Sequence, residues 1–267
     1  MLLGMYKIII PSYKRPETLI KKTIKSIYKT DIIKNIYVFV ADDDEYNIYK
    51  NQLIDYTEIK VIKGVRGIPN QRNFIQKYFD ENDYLVFIDD DINHIKGLDV
   101  NNKIVTAHKL HNFIIKAFEQ TEKIGLKMWG INSNTSIFEM KQSCSIGRIY
   151  IVGNFYGLIN NTEILVDEGK EIKTRKNYSA GKESHERALK MYDKYGGVLK
   201  YRCIGVVSNY WGEKGGHQIS RNNKGEKEAT YYLHNKYKNI TKIRKVKGIY
   251  DLQIIAKTKV FKTLIIQ

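Results

Sequence analysis

Three consecutive carboxylates, Asp89-Asp90-Asp91, follow the five apolar residues 84–88. Like charges so close repel one another, and Asp disfavours strand interiors, so a cation is expected to offset them. The economical chemistry is a divalent metal held by Asp89 and Asp91 that in turn holds a phosphate; the alternative is a solvated acidic turn. A second run, Asp42-Asp43-Asp44, closes another apolar stretch, residues 36–41. Alternate strand residues point the same way, so Asp89 and Asp91 converge while Asp90 faces elsewhere, toward sugar hydroxyls or a nearby helix. Arg15 and Arg72 are candidates for a diphosphate, with ordinary surface arginine as the alternative. Glu183 and Glu186 open a helix as candidate proton acceptors, yet Glu183–Arg187 and Glu186–Lys190 also read as plain i,i+4 pairs. His217 stands in a glycine-rich loop, 211–217, as a candidate third metal ligand. His108 and His111 sit at i,i+3, a spacing more often structural than metal-binding.

Strands and helices must bring these residues together. Residues 6–10, 36–41, 59–62 and 84–88 read as buried strands, short and rich in β-branched and aromatic side chains. Between them, Pro16 suits a helix start, residues 45–54 form a weak helix, and Asn70 caps a helix through 79 with Arg72 and Asn73 in its first turn. The alternation predicts a doubly wound, mainly parallel α/β sheet, whose ligands lie beyond the carboxyl ends of the strands. Both Asp clusters fall on that edge. Residues 107–124 carry an apolar stripe and predict an amphipathic helix. Strands follow over 126–131 and 149–159, separated by a polar loop, 133–147. Gly147 and Gly153 suggest close backbone approaches. Residues 169–181 read as a basic, mobile loop, 183–195 as a helix, 202–208 as a strand, and 249–266 as a hairpin or final strand. The expected division is a catalytic domain over 1–217, with a nucleotide-sugar half 1–95 and an acceptor half 96–217. A basic C-terminal extension, 218–267, is expected to pack on it.

The chain has 267 residues and a net charge of +16, which favours a polyanionic partner, nucleic acid or an anionic membrane surface. Part of that charge reflects a composition rich in Lys, Ile, Asn and Tyr. No apolar run approaches the roughly 18 residues of a membrane span, and residues 1–11 lack the marks of a signal peptide, so a cytoplasmic protein without integral membrane association is expected. Cys144 and Cys203 stand far apart, indicating neither a disulfide framework nor a zinc site.

Taken in order, Ile10-Pro11-Ser12-Tyr13-Lys14-Arg15-Pro16, Asp42-Asp43, Gly67 through Arg72-Asn73, and Phe87-Ile88-Asp89-Asp90-Asp91 resemble a GT-A-type glycosyltransferase of the family-2-like kind. More narrowly, the first of these, Arg66-Gly67-Ile68-Pro69-Asn70-Gln71-Arg72-Asn73 and the triple Asp resemble the phage glycosyltransferases associated with TET/JBP-type pyrimidine hydroxylases. The resemblance implies a GT-A fold and transfer from a nucleotide sugar such as UDP-glucose, with Mn²⁺ or Mg²⁺ at Asp89 and Asp91, onto hydroxymethylated pyrimidines in DNA. It implies that Asp42 or Asp43 holds the uracil edge, with Pro11 and Tyr13 shaping the base pocket. It also implies a late His metal ligand, here His217, and an acidic pair near Glu183, although Ser184 stands where the pattern has Asp. Lys200, Arg202, Arg221, Lys224 and the 236–247 cluster are expected to track phosphates, with Tyr232 and Tyr237 stacking on a base. A surface-glycan or lipid-linked acceptor, a non-catalytic nucleic-acid-binding protein on a degenerate transferase fold, and a nucleotidyltransferase remain open.

Overall fold

The structure, a computed structural model, describes residues 6–179, 181–208, 216–219 and 221–262, apart from the side chains of residues 217, 218 and 262. Its strands are β1 (Tyr6–Pro11), β2 (Ile36–Val40), β3 (Ile59–Lys63), β4 (Tyr84–Ile88), β5 (Ile92–Leu98), β6 (Ile104–Thr106), β7 (Met128–Asn132), β8 (Ser143–Arg148), β9 (Phe155–Ile159), β10 (Val198–Ser208), β11 (Thr241–Val246), β12 (Ile249–Ile254) and β13 (Lys257–Lys262). The helices are α1 (16–27), α2 (Asp43–Gln52), α3 (Ile68–Tyr78), α4 (Leu110–Lys123), α5 (Lys173–Lys176), α6 (Glu183–Tyr195) and α7 (Asn223–Lys236).

The main sheet runs β13-β8-β10-β7-β9-β4-β1-β2-β3, with β5 and β6 attached through β10. Its β3-β2-β1-β4 part is parallel throughout, as the repeated strand–helix alternation predicts. Only β9 and β8 run against the other strands on that path. Successive residues feed opposite faces. Ile8, Ile10, Val86 and Ile88 pack into one core with α1 and α4. Ile9, Leu85 and Phe87 pack into the other with Ile75 of α3 and Met191 of α6. This two-sided burial is why the strands read as continuous apolar runs.

Several boundaries differ from expectation, each for a local reason. Helix α3 begins before Asn70: Gly67 turns the chain in at φ 90° and Pro69 sits in the first turn. Helix α4 starts at Leu110, where the Asp31 carboxylate accepts from the N–H groups of Leu110 (2.7 Å) and His111 (2.8 Å). The expected strand over 149–159 shortens to β9, with 149–154 crossing the site, and the expected polar loop 133–147 instead ends in β8, which pairs with β10 and β13. Residues 169–174, in the expected mobile loop, are tied down. The Asp167 carboxylate accepts from four consecutive N–H groups, Gly169 to Ile172, at 2.8–3.0 Å. Glu228 takes those of Lys173 and Thr174.

The C-terminal residues form α7, the β11–β12 hairpin and edge strand β13. Leu233 and Tyr237 of this segment pack with Leu252, Ile254 and, from α6, Ala188 and Leu189. Among the described residues, no helix is long and apolar enough to cross a membrane. Both cysteines are buried and neither is in a disulfide.

Candidate functional site

Chain segments from both halves converge on a cavity of about 770 Å³. Its floor is the turn between β4 and β5, whose backbone is fixed from helix α1. A π-helical turn over Ile20–Ile24 interrupts that helix and presents Thr23. Its hydroxyl donates to the Asp89 carbonyl (2.8 Å) and accepts from Ile92 N–H (2.9 Å). Both open ends of the acidic turn are thereby pinned.

The three carboxylates divide their tasks. Asp90 is buried, accepting from Ser12 Oγ and, at 2.8 Å, from Arg15 Nε. The Arg15 backbone N–H donates to Tyr49 Oη (3.1 Å), which bonds Ser12 Oγ (2.7 Å), so the loop after Pro11 is locked onto Asp90. Asp89 and Asp91 line the cavity with side chains 33% and 16% exposed. Arg72 Nη2 lies 3.1 Å from Asp89, and Arg15 Nη1 lies 3.6 Å from Asp91. Its partly buried place at the cavity floor pushes the Asp89 carboxyl up, Arg72 opposing this and Asp91 and Asp90 adding to it.

Arg72 is the hub. It is buried and also bonds Glu183, the Gly153 carbonyl (2.8 Å) and, at 3.5 Å, Ser184 Oγ. A Cβ on Gly153 would fall 2.4 Å from Arg72 Nη1, so the close approach expected there serves this contact. Gly147 makes the other, against the carbonyl of Lys257. Burial alone would raise the Glu183 carboxyl, but Arg72 and Arg187, with the Ser184 hydroxyl, hold it down to about 2. So weak a base has little drive to take a proton near neutrality.

Other expected site residues lie apart from the cavity. Glu186 does not line it: this buried carboxylate pairs with Arg175 and Lys190 and accepts from Asp167 N–H (2.9 Å), which anchors the 167–175 segment. The structure shows Glu186 in this anchoring position, off the cavity. Asn73 likewise turns away, clamping Val166 through both its amide groups and donating to Glu168. Asp42 caps α2, accepting from Glu45 N–H (3.0 Å), and Asp43 pairs with Lys63 at 2.8 Å. Both are exposed just past Ala41, which lines the cavity. Pro11 and Tyr13 line it too. The His217 side chain lies outside the described residues; its backbone belongs to the short turn Gly216–Ile219, whose Gly216 N–H donates to the Tyr13 carbonyl (2.9 Å). His108 bonds Lys29 O and His111 bonds Tyr6 Oη.

The opposite wall was missed from sequence. Tyr150 and His185 stack there, centroids 4.0 Å apart. Lys182, the half-buried residue before α6, pairs with Glu226 of α7 (2.6 Å) and Asp251 of β12 (3.2 Å). Its left-handed φ of 68° was the available sign only in three dimensions. Arg244 joins Asp251 at 2.7 Å.

Two carboxylates facing a cavity, each beside an arginine, form a hard-oxygen donor set. Magnesium-type sites on phosphate substrates use one or two protein carboxylates, the substrate and water filling the rest. Asp89 and Asp91 fit that pattern as two ligands; among the described residues no cluster of three or more candidate ligands forms, at this turn or elsewhere.

A family model, TET-Associated Glycosyltransferase, matches residues 6–177, about two thirds of the chain. The chain belongs to this family. Its matched region holds the acidic turn, Arg15, Arg72 and Asn73. Two solved structures show the same GT-A arrangement. One is the mannosyltransferase PcManGT from Pyrobaculum calidifontis in complex with GDP-Man and Mn²⁺. Its TM-score is 0.50 and its identity 12%, over 78% of this chain and 58% of that one. The other is S. aureus TarS 1–349 in complex with UDP-GlcNAc, with TM-score 0.50 and identity 14%, over 85% and 65%. The likeness is one of fold, and the chain spans less than two thirds of either protein. Among curated proteins, none matches. Glu183, the cavity wall at Lys182 and the C-terminal hairpin fall beyond the family-matched residues.

Proposed function

We propose that this TET-associated glycosyltransferase moves a sugar, glucose in the first instance, from a nucleotide sugar such as UDP-glucose to the hydroxyl of a hydroxymethylated pyrimidine in DNA. The observation that carries the donor half is the pinned acidic turn at the carboxyl edge of the parallel strands, with Asp89 and Asp91 facing a cavity flanked by Arg15 and Arg72. Asp89 and Asp91, with His217 as the candidate third ligand, would hold Mn²⁺ or Mg²⁺, which supplies positive charge to the departing diphosphate. The bound ligands of the two fold neighbours, GDP-Man with Mn²⁺ and UDP-GlcNAc, support that donor class. The nucleotide base lies along Pro11, Tyr13 and Ala41, with Asp42 or Asp43 meeting its edge. Arg15 and Arg72 already hold the acidic turn and orient it toward the phosphates. Glu183 keeps Arg72 in place and does not accept the acceptor's proton, an arrangement that suits transfer with retention. The DNA acceptor is supported by the family and by the +16 charge. In this reading 1–217 is catalytic and 218–267 completes the acceptor side.

Calorimetric titration of UDP with Mn²⁺ tests the donor half. Wild-type protein is expected to bind only with the metal, and Asp91→Ala to lose that binding; metal-independent binding of equal strength in both would refute the assignment.

A further inference from the structure

The acceptor side of the cavity continues outward onto a surface that the family match does not reach. Hairpin β11–β12 closes through Lys247-Gly248, both at positive φ (49° and 80°), the backbone of a tight two-residue hairpin turn. A two-stranded ribbon is marginal alone. This one is held from below by Leu233 and Tyr237 against Leu252 and Ile254, and at its flank by the Lys182–Asp251 pair. Within 241–251 there are four cations, Lys242, Arg244, Lys245 and Lys247, against one acid, Asp251. That acid is already paired with Lys182 and Arg244.

The cations are interleaved with rings. Tyr250 lines the cavity, and Lys245 Nζ lies 4.8 Å from its centroid. From α7, Lys227 Nζ lies 5.5 Å from Tyr250 and 5.9 Å from Tyr231. The two rings are 5.7 Å apart, and Tyr231 is 41% exposed. The sequence-level choice of stacking residues fell on the wrong face of this segment: Tyr237 is buried in the core, and Tyr232 packs beside it. On the far rim, exposed Arg66 covers Tyr13 and Tyr178 at 5.5 and 5.1 Å.

We propose that the patch formed by Lys227, Tyr231, Lys245 and Tyr250 is the surface that grips the phosphate backbone of a nucleic-acid acceptor and holds it across the cavity mouth. This rests on the DNA-acceptor reading and deepens it. Lysines alone would suit any polyanion. Rings set between them and running into the cavity favour a strand, whose bases have faces to stack, over a flat anionic membrane, which would call for a buried apolar helix face.

The test compares wild type with Lys227→Gln/Lys245→Gln in binding to a hydroxymethylcytosine-containing duplex across a salt series. Each cation that neutralises a phosphate contributes about 0.9 to the slope of log affinity against log salt. The double variant is expected to lower the slope by about 2 and to weaken binding, with Mn²⁺-dependent UDP binding and the thermal midpoint kept. Lys227→Arg/Lys245→Arg is expected to restore the slope. A double variant with wild-type slope and affinity overturns the proposal even while wild type transfers sugar to the duplex. Binding of wild type to phosphatidylserine vesicles, abolished in the double variant, with no binding to the duplex, overturns it in favour of a membrane. Failure of wild type to glycosylate any hydroxymethylated duplex instead counts against the acceptor reading itself.

Discussion

Arg72 joins two carboxylates from distant parts of the chain, Asp89 in the acidic turn and Glu183 at the start of α6. Its guanidinium can serve both and the Gly153 carbonyl at once, which a lysine's single ammonium cannot do. Arg72→Ala leaves Glu183 short of one of its two arginines and Asp89 without its cation. The expected loss is about 3–5 kcal/mol of stability by urea unfolding, as for other broken buried pairs. Because Glu183 is held near 2, Glu183→Gln is expected to reduce kcat without removing the acid limb of the pH–rate profile. Disappearance of that limb would make Glu183 the base after all. His185 supplies a pH prediction for stability. Burial, with Lys182 nearby, lowers its imidazole from 6.5 to about 4. Between those values the unfolded chain binds a proton that the folded chain does not. Stability therefore falls as pH drops from about 6.5 to about 4, by on the order of 3 kcal/mol in all. In His185→Phe, unfolding followed across that window should show a shallower fall.

At the scale of elements, the acidic turn is positioned by strands whose burial made them visible in advance. Residues 84–88 and 36–41 are apolar throughout because both sheet faces are covered, and the carboxylates begin where the strands end. The stripe of α4 was equally legible, Leu110, Phe113, Ile114, Ala117 and Phe118 all being buried. What sequence hid was of two kinds. Strand β8, Ser-Cys-Ser-Ile-Gly-Arg, is small and polar and makes sense only between two antiparallel neighbours. Glu186 looked like one member of a helical pair with Lys190, which it is, but its stronger tie to Arg175 joins two elements that no local pattern connects. The hairpin depends on such remote support as well. Leu233→Ala removes its main apolar prop from α7 and should lower stability by about 2–5 kcal/mol. Steady-state kinetics should show KM for the DNA acceptor rising more than KM for the nucleotide sugar.

For the whole molecule, the two ends of the cavity that the proposed function assigns to donor and acceptor are built from different parts of the chain. The parallel strands β1, β2 and β4 and their loops make the donor end, inside the family-matched region. The acceptor end comes from α6, α7 and the hairpin, which lie beyond it. Charge follows the same division: carboxylates beside arginines at the floor, and an excess of cations over acids along the hairpin at the outer rim. The overall +16 therefore says less than its placement does. In the proposed function this cavity delivers sugar to a modified base. The direct test incubates the protein with UDP-glucose, Mn²⁺ and duplexes containing hydroxymethylcytosine or hydroxymethyluracil, then digests them to nucleosides for mass spectrometry. A nucleoside heavier by one hexose, present with wild type and absent with Asp91→Ala, is the predicted result. Unmodified nucleosides with UDP-glucose and every other nucleotide sugar tried, from protein that binds UDP and Mn²⁺, would contradict it.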